Sequence, residues 1–128
     1  MSEIQKRIIA TEAAPAAIGP YSQAIAAGSL VFTSGQIPID PATGVFPEGI
    51  EAQTRQAMEN VLAILAQAGA TAENIVKTTV FLRNMDDFAA MNGVYATFFS
   101  GPAPARSAVQ VARLPKDCPL EIEAVAVL

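Results

Sequence analysis

Ile50-Glu51-Ala52-Gln53-Thr54-Arg55-Gln56-Ala57-Met58-Glu59-Asn60-Val61-Leu62-Ala63-Ile64-Leu65-Ala66-Gln67-Ala68-Gly69, followed after a short turn by Ile75-Val76-Lys77-Thr78-Thr79-Val80-Phe81-Leu82-Arg83, is the stretch that decides the fold. In its first half Ile50, Ala57, Met58, Val61, Leu62, Leu65 and Ala68 fall near one face of a helix over 50–68, and Gly69 suits the position just past its end. Thr71-Ala72-Glu73-Asn74 has the character of a capped turn. Residues 75–83 are rich in β-branched side chains and apolar on both faces around Val80-Phe81-Leu82, which predicts a strand inside a sheet.

Working outward, 22–27 and 30–37 are short β-prone runs joined at Gly28-Ser29, a plausible hairpin. Residues 38–49 hold three prolines and two glycines and read as an extended surface loop. Asp86 or Asp87 can cap a second helix ending near Phe99, with Phe88, Met91, Tyr95 and Phe98 on its apolar side. Gly101-Pro102-Ala103-Pro104 breaks it. Two final strands, around 108–112 and 120–128, are separated by Leu114-Pro115-Lys116-Asp117. The order β-β-α-β-α-β-β predicts an α+β fold: a single two-layer domain over 1–128, a mixed sheet with two helices on one face. The other sheet face would remain apolar, and association with further copies could bury it.

Composition points the same way. In 128 residues, 52% are hydrophobic and 16% charged, with mean hydropathy +0.35. That apolar excess favours a homo-oligomer over an unusually large core. Eight Lys and Arg against twelve Asp and Glu give a net charge of −4, with no basic patch to attract nucleic acid. No histidine is present, which removes the usual general base and metal ligand. One cysteine, Cys118, excludes an internal disulfide or a multi-thiolate metal site; its turn-like setting predicts a half-exposed thiol. Neither a phosphate loop nor a dinucleotide fingerprint occurs, so no cofactor or metal is expected. No run approaches the ~18 apolar residues of a membrane span, and Met1-Ser2-Glu3-Ile4-Gln5-Lys6 lacks an apolar leader core. The chain reads as cytoplasmic and reduced, with no membrane partner.

Three charges stand out in the apolar last quarter. Arg106 lies just ahead of 108–112, and Glu121 and Glu123 alternate with apolar residues at 120–128. An unpartnered charge is costly to bury. The guanidinium fork of Arg106 matches a carboxylate, although a snorkelling or ion-paired arginine would look the same in sequence. Glu121 and Glu123 project to one face with Val125 and Val127. Either could be a solvated strand-end acid, or a general base whose pKa is lifted by desolvation. If the last two strands formed a hairpin, Arg106 and Glu121 would sit about 17 Å apart, too far to share a small substrate. Either those strands are not neighbours, or the two groups come from different subunits. Weaker signals are Tyr21 after a Pro/Ala loop, Ser34-Gly35 where a bulge or close approach is expected, and Asn92 beside Phe88 and Tyr95.

Together, Ile18-Gly19-Pro20-Tyr21, Thr33-Ser34-Gly35-Gln36-Ile37-Pro38, Ile75-Val76-Lys77-Thr78-Thr79-Val80, Pro104-Ala105-Arg106-Ser107, Val111-Ala112-Arg113-Leu114-Pro115-Lys116-Asp117 and Ile122-Glu123-Ala124 resemble the RidA (YjgF) family of enamine/imine deaminases. The resemblance runs from about Ile9 to Val127. It implies a chorismate-mutase-like fold, a homotrimer with intersubunit clefts, and cofactor-free hydrolysis of 2-imino acids, such as 2-iminopropionate or 2-iminobutyrate, to 2-keto acids and ammonia. By the same resemblance Arg106 would clamp the substrate carboxylate and Glu121 would activate water. Tyr21, Ser34, Gly35 and Asn92 would line the cleft, and Glu123 would be structural. Many relatives carry a cysteine two residues after the arginine; Ala108 here puts thiol-dependent chemistry at that position in doubt. A keto-acid-binding or holdase-type protein without turnover is the alternative of a different class. A ribonuclease or translation inhibitor is disfavoured by the acidic balance and the absence of histidine.

Overall fold

The computed structural model describes residues 4–128; Met1, Ser2 and Glu3, part of the stretch read as leaderless, lie outside the described residues. The elements are β1 (Lys6–Ile9), β2 (Ala24–Ala27), β3 (Leu30–Thr33), α1 (Ile50–Gln67), β4 (Ile75–Leu82), α2 (Phe88–Ala96), β5 (Ala105–Gln110) and β6 (Leu120–Val127). They form one six-stranded sheet in the order β1-β2-β3-β6-β4-β5. Every pairing is antiparallel except β4 with β5, where the α2 crossover brings the chain back in the same direction.

Both helices lie on one face, so the two-layer mixed sheet expected from the sequence is the observed one. Its core follows strand alternation. Leu120, Ile122, Ala124 and Ala126 of β6 and Thr78, Val80 and Leu82 of β4 are buried beneath the helices, while Glu121, Glu123 and Val125 point the other way. Ala57, Met58, Val61, Ile64 and Leu65 supply the buried stripe of α1. Each fully buried side chain of Leu, Ile or Met size stabilises the fold by about 1.5–3 kcal/mol. At the end of α1, Gly69 takes φ 88°, and the amides of Gly69 and Ala70 bond back to the carbonyls of Ala66 and Leu65. That is the double closure that a left-handed glycine permits. Asn60 is buried, and its amide donates to the carbonyls of Ile37 and Ile39 at 3.1 and 2.9 Å, pinning the long loop to the helix.

Several expectations need correction. β1 was missed: Lys6 and Arg7 disguise a four-residue edge strand of which only Ile9 is buried. Asp87 holds the N-cap position of α2 but makes no side-chain cap hydrogen bond; the capping side chain is Asn84, which accepts from the Asp86 amide at 2.9 Å and starts a 3-10 turn that runs into the helix. α2 ends at Ala96, short of Phe99. Of the alternatives left open for the last two strands, the structure takes the one in which they are not neighbours, because β4 lies between them. Cys118 is fully buried, its thiol donating to the Leu120 carbonyl at 3.3 Å; burial, with the Glu121 charge second, pushes its pKa up to about 11.

The face away from the helices stays apolar. Ile8, Ile25, Phe32 and Val125 align across four strands, and Ile8 and Phe32 are 71% and 44% exposed. Among the described residues no helix is long and apolar enough to cross a membrane.

Candidate active site

Arg106 lies inside β5 rather than ahead of it, paired in the parallel ladder with Thr78 of β4. Cross-strand partners share a face, so its side chain rises on the helix side of the sheet. There its Nη1 donates to the Asn92 side-chain oxygen at 2.7 Å. The guanidinium carbon sits 4.9 Å from the Tyr95 ring centroid and 5.5 Å from that of Phe88. Phe88, Asn92 and Tyr95 recur at helical spacing on α2, one amide between two aromatics. This arrangement orients the guanidinium while using little of its donor capacity. Among the described residues no carboxylate is within ion-pair distance of Arg106; the one ion pair joins exposed Arg113 and Asp117 at 3.1 Å. A cleft of about 540 Å³, lined by Asn92, Tyr95, Phe99, Ala103, Pro104 and Arg106, opens in front of it.

Glu121 stands on the opposite face. Its partner across β4 is Phe81, and it is half-buried. Opposite β6, Thr33 receives a hydrogen bond from the Ala124 amide, whereas Gln36 pairs with Ile122. The offset inserts one extra residue at Ser34-Gly35, a bulge. The Glu121 side chain lies across it so closely that a β-carbon on Gly35 would stand 2.7 Å from the carboxyl carbon and overlap Oε2. The glycine expected to permit a close approach therefore does so for the protein's own acid. Desolvation, and secondarily the Glu123 charge, raises the Glu121 pKa above the ordinary carboxylate value.

Ser34 ties this bulge to the Tyr21 loop, its amide donating to the Gln23 carbonyl at 2.8 Å and its hydroxyl to the Ser22 carbonyl at 2.6 Å. The Tyr21 side chain is 47% exposed, its hydroxyl accepting from the Ile18 amide at 3.3 Å. The six residues singled out in the sequence thus fall into two groups. Tyr21, Ser34, Gly35 and Glu121 join through the bulge; Asn92 and Arg106 meet at the β5 edge. Within one protomer the groups stay apart. Thr78 to Phe81 is three steps along β4, and β5 and β6 flank it, which separates the two Cα atoms by roughly 14 Å with the sheet between the side chains.

Sequence reasoning missed Gln23. It is buried, accepts from the Thr11 amide at 2.7 Å and donates to the carbonyls of Thr11 and Pro15 at 3.1 and 2.8 Å, fixing the start of the Tyr21 loop. A glutamine at the head of an apolar strand was the available signal.

Comparison with known proteins agrees on the family and differs in the names. The model of the family described as Endoribonuclease L-PSP matches residues 11–128. A RutC family protein of Haemophilus influenzae is 61% identical over 125 residues, covering 94% of this chain and 96% of that one. The 2-iminobutanoate/2-iminopropanoate deaminase of Salmonella typhimurium is 56% identical over 124 residues, covering 94% and 97%. Among solved structures, E. coli TdcF with bound serine is similar with a TM-score of 0.93 at 53% identity, covering 95% of this chain and 98% of that one.

Proposed function

Because the chain belongs to the RidA (YjgF) family, we propose that it is a hydrolytic deaminase converting 2-imino acids and their enamine tautomers to 2-keto acids and ammonia. The observation that carries this reading is the state of Arg106: aimed by Asn92, stacked on aromatics, and free of any carboxylate among the described residues. Such a group is ready to receive a carboxylate from outside, in a planar two-point grip. A relative crystallised with bound serine supports a small carboxylate-bearing ligand.

The chemistry needs little more. A protonated 2-imino acid is already electrophilic at C2. Water held by Glu121 adds there as its proton passes to the carboxylate, giving a carbinolamine. Glu121 returns that proton to nitrogen and then takes the hydroxyl proton, so that the C–N bond breaks, ammonia leaves and the keto acid remains. The raised pKa makes Glu121 a stronger base than an ordinary surface acid, suited to these transfers. In this reading Tyr21, Ser34, Gly35 and Asn92 are assigned to the cleft walls and Glu123 to a structural role.

This reading requires Arg106 and Glu121 to meet across subunits. The exposed apolar face, with Glu121 at its border, supplies the surface for a homotrimer in which the β5 edge of one copy faces the Gly35 bulge of the next. An amino-acid oxidase making 2-iminopropionate, with semicarbazide as trap, tests the activity. Wild type is expected to suppress the semicarbazone, and Arg106→Ala to lose roughly a hundredfold in kcat/KM. Equal semicarbazone yields with wild type, Arg106→Ala and no protein would refute the proposal. Bound serine in a relative also favours a second reading, carboxylate binding without turnover. Tight 2-ketobutyrate binding with no rate enhancement would select it.

A further inference from the structure

Beneath the Arg106 seat lies a hydrogen bond that the arginine does not itself make. Tyr95, whose ring lies 4.9 Å from the guanidinium, is 5% exposed, and its hydroxyl shares a 2.7 Å hydrogen bond with the side chain of Thr78, which is 1% exposed. Thr78 is also the residue directly beside Arg106 in the β4–β5 ladder. One position on β4 thereby fixes both the backbone from which the arginine starts and the aromatic surface on which it rests.

The rest of the seat depends on the same bond. Phe88 and Asn92 stand on the Tyr95 face of α2, so sliding or rotating that helix would move the ring at 5.5 Å and the amide oxygen at 2.7 Å together. Apart from the Asn92–Arg106 bond itself, the other links from α2 toward the sheet are apolar contacts of Phe88, Met91 and Tyr95 with the core. Apolar packing tolerates small slides that a buried hydroxyl pair does not, since separation leaves two polar atoms without water. A β-branched apolar residue would satisfy the strand and the core equally well at this position, so the hydroxyl needs a reason.

We infer that the Thr78–Tyr95 hydrogen bond is a positioning device for substrate recognition, setting the α2 face that holds the Arg106 guanidinium ready for a carboxylate. Thr78 and Tyr95 are then positioning residues, acting through Arg106. The inference rests on the carboxylate-binding reading of Arg106, and its consequences are specific. A misaimed guanidinium weakens ground state and transition state alike, so KM should change while kcat holds.

The test measures 2-ketobutyrate affinity by calorimetry and imine hydrolysis by the trapping assay for Thr78→Val, Thr78→Ser, Tyr95→Phe, the Val/Phe double variant and Arg106→Ala, each checked for an intact melting transition. Thr78→Val and Tyr95→Phe should each weaken binding and raise KM roughly three- to tenfold, with kcat within about twofold. The double variant should be no worse than either single one, because both remove the same bond. Thr78→Ser, which keeps the hydroxyl, should bind within about twofold of wild type, and this rescue separates positioning from packing. Wild-type affinity and KM in Thr78→Val, additive losses in the double variant, or equal losses in the Ser and Val variants would overturn the inference while Arg106→Ala still abolished binding. If Arg106→Ala binds keto acid as wild type does, the carboxylate reading itself falls and the inference with it.

Discussion

Glu121 is held where its charge is disfavoured, and the sign of that effect is measurable. Its pKa is raised, first by desolvation and then by Glu123, so the folded protein holds this proton at pH values where the unfolded chain has lost it. The stability tied to the neutral form is therefore complete below the ordinary carboxylate value, and it is lost as pH rises through the raised one. Glu121→Gln removes the penalty. Its melting temperature is expected to exceed wild type at pH 8, with the gap closing near pH 4, while hydrolysis falls roughly a hundred- to ten-thousandfold. A variant that melts with wild type across this range would show that the acid is not desolvated. Sequence made Glu121 and Arg106 visible because a charge in an apolar run is conspicuous. It could not show which acid lies on the Gly35 bulge, since that depends on β3 gaining one residue against β6. Nor could it show Cys118 as buried, because Pro119 and the charged turn before it look like surface.

Elements were legible where a periodic pattern met a punctuating residue. The α1 helix ends within one residue of expectation ahead of Gly69, while its buried stripe takes in Ile64, which the pattern omitted, and leaves Ile50 and Leu62 only partly covered. No atom would lie within 4 Å of a β-carbon at Gly69, so the cost of Gly69→Ala is conformational alone: φ 88° is unfavourable for alanine. We expect a loss of about 1 kcal/mol, read as a lower urea midpoint at unchanged slope. Where pattern and punctuation disagreed, reading failed. At α2 the acids suggested caps, but Asn84 reaches the orphan amide first. At β1 two cations on a sheet edge masked a strand. Strand order was the least accessible property, for the insertion of β4 between β5 and β6 is decided by the α2 crossover and no local residue encodes it.

For the whole molecule, the proposed site joins two faces that one protomer keeps apart, so the proposal predicts that activity depends on assembly. Arg106→Ala and Glu121→Gln should each be nearly inactive alone. Unfolded together in equal amounts and refolded, random trimers would hold one intact pairing of arginine and acid in about a quarter of their clefts, and activity should return to that level. No recovery would place both groups in one protomer, contrary to their separation across β4. Sedimentation of the wild type should give three times the 13.3 kDa protomer mass.

The placement of Arg106 and Glu121 on opposite sides of one sheet also prevents self-neutralisation. A flexible cation and a desolvated acid on the same surface would collapse into an internal ion pair, and each arriving substrate would have to break it. Here a layer of backbone about one residue thick insulates them. Each protomer therefore keeps its cation and its acid open to an incoming group, because neither can reach the other through its own sheet.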